Sequence, residues 1–167
     1  MKGGKPVLDT LQRLLTNELT ATDVYLVQGR TLENQGYLRL AERLAHESIE
    51  ERGHADAILR RMIFLEAKPD MHARDPFAQP SDPAEILALD LTLEEKTRDL
   101  LRAGIKVCFD AGDHVSRHVL ESQLEETESD HLFWLEQQVR LAGTLGREAW
   151  LAEQLKATGD ASSSAAT

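Results

Sequence analysis

At 167 residues with a formal charge of −10, the chain is long enough for one domain with a real core and too short to expect two. The acidity argues against a nucleic-acid-binding surface and suits attraction of cations, although ordinary acidic solubility would give the same balance. A lone Cys108 excludes a disulfide framework or CxxC knuckle, no apolar run reaches the ~18 residues of a membrane span, and the Met1-Lys2-Gly3-Gly4 start is no signal peptide, so the chain reads as soluble and cytoplasmic.

Scarce aromatics beside plentiful Leu, Ala, Glu, Arg and Gln predict an all-α chain. A first helix runs from about Pro6 to the Asn34-Gln35-Gly36 break, with Leu11, Leu14, Leu15, Glu18, Ala21, Thr22 and Tyr25 on one face. A second spans about Leu38 to Glu66 and stops before Pro69. Residues 67–82, holding Pro69, Pro76 and Pro80, read as irregular. Asp82 as N-cap, Pro83 at the first helical position and Glu85 at the third open a third helix that runs to about Ala111. A fourth runs from His114 to about Ala142, and a short fifth covers Arg147 to Leu155. The domain is expected over residues 1–156, with a disordered small-residue tail over 157–167.

Connection lengths set the topology. Tight turns make helices one and two, and three and four, antiparallel pairs. The 16-residue connector can stretch to roughly 50 Å, while a helix of about 30 residues is roughly 45 Å long. It can therefore run the length of the bundle and leave helices two and three parallel, a four-helix bundle with one long crossover.

Two Glu-x-x-His motifs, Glu51/His54 and Glu128/His131, lie on the second and fourth helices. Three apart on an α-helix, both side chains point the same way and can share one metal ion. Each motif falls in an apolar stripe: Leu44, Glu51, His54 and Ile58 on one helix, and Leu120, Leu124, Glu128, His131, Leu135 and Val139 on the other. The remaining helices each place one acid in mid-stripe, Glu18 and Glu94, whereas Glu95 falls on the outer face with Asp99 and Arg102. Glu18 precedes Glu51 by 33 residues and Glu94 precedes Glu128 by 34, so each half of the chain supplies one carboxylate and one Glu-x-x-His pair. Four buried carboxylates would repel one another; two divalent ions bring +4 against −4 and balance them. Mixed carboxylate and imidazole ligation suits iron, manganese or zinc.

In Asn17-Glu18-Leu19, His46-Glu47-Ser48-Ile49-Glu50-Glu51, His54-Ala55-Asp56, Ile63-Phe64-Leu65-Glu66, Asp90-Leu91-Thr92-Leu93-Glu94, Val115-Ser116-Arg117 and Trp134-Leu135-Glu136, the chain resembles bacterioferritin from Met1 to about Leu155. The resemblance implies a ferritin-like bundle with a short fifth helix, a homo-oligomeric shell of two dozen subunits built from dimers, and iron storage. It implies a di-iron centre on Glu18, Glu51, His54, Glu94, Glu128 and His131 that oxidises Fe²⁺ with O₂ or H₂O₂, the ferric product passing to a mineral inside. His46, Glu47 and Glu50 then mark an inner-surface iron site, against the alternative of a polar face lining water. Tyr25 and Trp134 are placed to relay electrons or simply to pack.

Two departures from the family pattern stand out. The family's haem b sits between two methionines, one per subunit, at the position that Arg52 holds here, and neither Met1, Met62 nor Met71 matches it. A homo-oligomer is thus expected to lack the bis-methionine haem, which could enter only with a second, haem-binding subunit. The span from Val115-Ser116-Arg117 to His131 is also one residue longer than the family pattern; a π-bulge ahead of the motif would absorb the surplus and keep the Glu128/His131 chelate. Two other functions compete: a di-iron peroxidase without mineral storage, and a passive shell subunit beside a catalytic partner.

Overall fold

The computed structural model describes residues 2–156, and the expected tail lies outside them. The described residues form α1 (Lys5–Gln35), α2 (Leu38–Phe64), α3 (Pro83–Asp110), α4 (His114–Glu126), a π-helical segment (Thr127–Leu132), α5 (Phe133–Leu145) and α6 (Arg147–Gln154). α4, the π segment and α5 together make the fourth long helix of the bundle; no strand occurs among the described residues.

The turn chemistry behaves as the sequence predicts. Gly36 adopts a left-handed φ of 87° that a side chain would strain, and this reverses the chain from α1 into α2. The Asp82 carboxylate accepts from the amides of Ala84 and Glu85, capping α3 behind Pro83. Asp113 caps α4 by accepting from the Ser116 amide, and Arg61 of α2 ties both residues to the bundle at 2.8 Å each.

Contacts at the two ends fix the topology. The Gly3 amide donates to the Leu65 carbonyl, so the start of α1 meets the end of α2. The Gln35 side chain donates to the Ser81 carbonyl, so the end of α1 meets the start of α3. The connector therefore travels the whole bundle and leaves α2 and α3 parallel. It is pinned on the way: Asp75 takes Arg13 and Lys96, both at 2.7 Å, and Arg74 reaches Asp23. α6 docks through Trp150, which is fully buried and donates to Gln138.

The apolar interior is split in two. One cluster holds Leu11, Leu14, Ile58, Met62, Leu101, Cys108 and Leu120; the other holds Tyr25, Leu32, Leu40, Leu44, Ile86, Leu135 and Trp150. Between them lies a belt of buried polar residues that includes Glu18, Glu47, Glu51, His54, Asp90, Glu94, Thr127 and His131. Cys108 is a core residue, and burial, with Asp113 adding to it, raises its thiol to about 11, so it stays protonated and unreactive. No helix among the described residues is long and apolar enough to cross a membrane.

Candidate metal centre

The mid-bundle belt gathers five of the six residues that the sequence picks out. Glu18 comes from α1, Glu51 and His54 from α2, Glu94 from α3 and His131 from the π segment; all are buried. Glu95 points outward, as its face requires.

Glu51 is the centre of the arrangement. One of its oxygens lies 3.1 Å from His54 Nδ1 and the other 3.1 Å from His131 Nδ1. Glu18 approaches the first imidazole nitrogen at 3.9 Å and Glu94 the second at 3.5 Å. Two overlapping triads result, Glu18/Glu51/His54 and Glu51/Glu94/His131, and the donor atoms of each lie within 4.8 Å of one another. The two rings stand 6.0 Å apart at an interplanar angle of 29°. Tyr25 donates its hydroxyl hydrogen to Glu94, whereas both oxygens of Glu18 lack a hydrogen-bond partner. A buried acid with no partner is costly unless it holds a proton or a cation.

The electrostatics follow from that burial. Desolvation, with Glu51's charge next, lifts the Glu18 carboxyl well above its ordinary range, and the same two causes raise Glu94. Burial also opposes ionisation of Glu51, but the hydrogen bonds from His131 and His54 win and hold it low. For His54, burial opposes the charge while Glu51 and Glu126 outweigh it and raise the ring to about 9. His131 is raised further, against burial, by Glu47, Glu51 and Glu94. Protons thus do the neutralising in the metal-free cluster, and divalent ions at the imidazole Nδ1 atoms would displace them. The donor set of oxygens and imidazole nitrogens fits two such ions, with Glu51 shared.

Glu128 is the expected residue that the structure does not bring into the belt. Its side chain is 42% exposed and pairs with Arg102 at 2.7 Å, away from the belt. The π segment accounts for the surplus residue, but it runs through the motif rather than ahead of it. In π register the hydrogen bonds reach from i to i+5, so a turn holds more than four residues and a separation of three no longer shares a face. The buried residue one turn before His131 is Thr127. Glu126 instead reaches the far nitrogen of His54, Nε2, at 2.8 Å. Of the four carboxylates expected, three therefore turn inward, beside the buried Glu47 and Asp90, with Glu126 as a partly exposed neighbour. Val139, expected in the apolar stripe, is 43% exposed.

Other candidates are placed as follows. His46 is largely exposed and pairs with Glu50 at 3.1 Å, but Glu47 turns inward to His131. Tyr25 and Trp134 both border a small gap beside His131. Arg52 lies on a surface groove of α1 and α2 with Thr22, Leu26, Ala45, Ser48 and Ile49. That groove offers no thioether; Met62 is buried in the core and Met71 sits on the crossover, so these residues do not fit a haem held between two methionines. Sequence reasoning missed Glu126, Thr127, Asp130, Arg43 and Asp90. Asp90, fully buried and driven toward its neutral form by desolvation, was within reach, since it lies one helical turn before Glu94.

A family model described as the ferritin-like domain matches residues 8–143. A bacterial ferritin of Pseudomonas aeruginosa is 44% identical over 155 residues, covering 93% of this chain and all of the relative. One from Neisseria meningitidis is 41% identical over the same coverage. A protein named bacterioferritin, from Rhodobacter capsulatus, is 37% identical over 150 residues, or 90% of this chain and 92% of that one.

Proposed function

We propose that this chain, which belongs to the ferritin family, is an iron-storage subunit that oxidises Fe²⁺ at the mid-bundle centre before the ferric product is laid down inside an oligomeric shell. The observation that carries the reading is Glu51, fully buried between two imidazoles and common to both triads. Such sharing holds two ions side by side, where an iron pair supplies one electron from each ion to a single molecule of O₂ or H₂O₂.

The protein's own part is to bind, orient and insulate. Glu18 and His54 face one ion position, Glu94 and His131 the other. The two apolar clusters above and below exclude bulk water and strengthen each charge interaction. Tyr25, hydrogen-bonded to Glu94 and raised by burial and by that carboxylate's charge, keeps its proton at neutral pH and is the buried aromatic nearest in contact to a ligand. It is the candidate for a redox role ahead of the half-buried Trp134.

Assembly into a shell of two dozen copies is supported by family membership and by exposed apolar residues, among them Leu26 and Ile49 flanking the α1/α2 groove. The bis-methionine haem has no ligand here, so a pure homo-oligomer is expected without it.

The outward turn of Glu128 favours a second reading, a shell subunit whose five-residue centre is inactive and serves a catalytic partner. Oxygen uptake on adding Fe²⁺ to the purified protein decides. Uptake well above buffer, lost in Glu51→Gln, supports oxidation; uptake equal to buffer selects the passive subunit.

A further inference from the structure

Behind His131 lies a second layer of acids that the two-ion centre does not use. Glu47 is 2% exposed, and its Oε2 stands 3.0 Å from His131 Nε2, the nitrogen that faces away from Glu51 and Glu94. Its other oxygen is in close ion contact with Arg43 Nε. The same guanidinium reaches Asp130 of the π segment at 2.9 Å and lies 5.1 Å over the Trp134 ring. Glu50 is also near, 3.5 Å from Nε2.

We infer that Glu47, clamped by Arg43, is a positioning residue that fixes the ring and tautomer of His131. The inference rests on the two-ion reading of the centre. A neutral imidazole has one N–H and one lone pair. If Nδ1 gives its lone pair to an ion, Nε2 must carry the hydrogen, and a buried N–H needs an acceptor. Glu47, in ion contact with Nε2 at 3.0 Å, is the carboxylate placed to accept that hydrogen once an ion sets the ring, completing a carboxylate–histidine–metal series. Arg43 neutralises Glu47 and at the same time bonds α2 to the π segment, the place where altered register would otherwise leave the ring's direction loose. His54 supports the assignment with the completed form of the arrangement, its Nδ1 hydrogen-bonded to Glu51 and its Nε2 to Glu126, where His131 makes the corresponding ion contacts with Glu51 and Glu47.

Glu47, Glu50, Asp130 and His131 are close enough to hold a cation of their own. Against this, Arg43 already spans Glu47 and Asp130 and supplies the positive charge there.

The test is a Co²⁺ titration of the full-length metal-free protein, followed by ligand-field absorption, with Glu47→Leu and Glu47→Gln compared. Wild type takes two ions per subunit. Glu47→Leu binds the ion at His131 about 10- to 100-fold more weakly while the ion at His54 is unchanged. Glu47→Gln, whose amide oxygen still accepts from Nε2–H, stays within about threefold of wild type. The ¹⁵N shifts of His131 in Zn²⁺-loaded protein report the Nε2–H tautomer in wild type and Glu47→Gln. Unchanged affinity in Glu47→Leu overturns the inference, as does equal loss in both variants or a third wild-type ion removed by Glu47→Gln. A wild type that takes fewer than two ions instead overturns the two-ion reading beneath it. Equal metal-free melting temperatures show that the variants fold.

Discussion

Glu51 sits between His54 and His131, one carboxylate oxygen 3.1 Å from Nδ1 of each ring. No other residue of the belt belongs to both triads, so the two ion positions are coupled through this one side chain.

That coupling predicts unequal damage. Glu51→Gln should lower binding of both ions, whereas Glu18→Gln should weaken only the ion at His54 and Glu94→Gln only the ion at His131. Isothermal titration with Co²⁺ resolves the two steps. Equal loss of both ions in all three variants would refute the shared-ligand arrangement.

The same acids weaken the metal-free fold. Burial raises the Glu18 carboxyl, so the folded state binds its proton more tightly than the unfolded state does. A raised carboxylate contributes stability below its unfolded value, and that contribution is lost as pH rises toward the folded value. At pH 7, Glu18→Gln should therefore raise the metal-free melting temperature by a few degrees, equivalent to ~1–2 kcal/mol. Calorimetry checks it; a lower melting temperature contradicts the electrostatic account.

Glu128 and Glu126 should separate cleanly. Glu128→Gln loses only an exposed pair with Arg102 and should leave ion binding unchanged. Glu126→Leu removes the acceptor behind His54 and should weaken that ion by about tenfold. The reverse order would mean that Glu128 turns inward when metal binds.

Ion binding should release protons. His54 keeps its charge up to about pH 9 in the metal-free protein because Glu51 and Glu126 outweigh the penalty of burial. An ion at Nδ1 must displace that proton, so affinity at the His54 position should rise with pH up to about 9 and then level off. An unbuffered titration should acidify as metal is added. Affinity that stays flat over this range would show that His54 is not a ligand.

Gly104 tests the packing beneath the site. A Cβ there would meet the Thr10 and Leu120 side chains at 2.9 and 3.0 Å and Leu14 at 3.2 Å, where α1 and α4 close on α3. Gly104→Ala should cost ~1–3 kcal/mol through overpacking, read as a lower denaturation midpoint.

Most of the fold was legible because it depends on local signals. Asp82-Pro83, Gly36 and the apolar stripes act within a turn or two of chain, and the length of the connector alone forces the crossover. Glu18, Glu51, His54 and Glu94 were legible for the same reason: in a regular α-helix, position along the stripe determines direction. Glu128 was not, because that rule fails where the hydrogen bonding changes from i+4 to i+5. From Ser116 the buried positions run Leu120, Gln123 and Thr127, and they resume at His131 and Leu135. The continued seven-residue repeat from Leu120 to Thr127 was the available signal that Glu128 lies one step off the inner face. The surplus residue announced a π segment, but only the packed bundle decided where its extra turn would fall, since its position is set by how well Leu120, His131 and Leu135 fit opposite α2 and α3. The contact of Glu47 with His131 is likewise tertiary: Arg43 and Glu47 are one helical turn apart on α2, but only the closed bundle brings His131 and Asp130 against them.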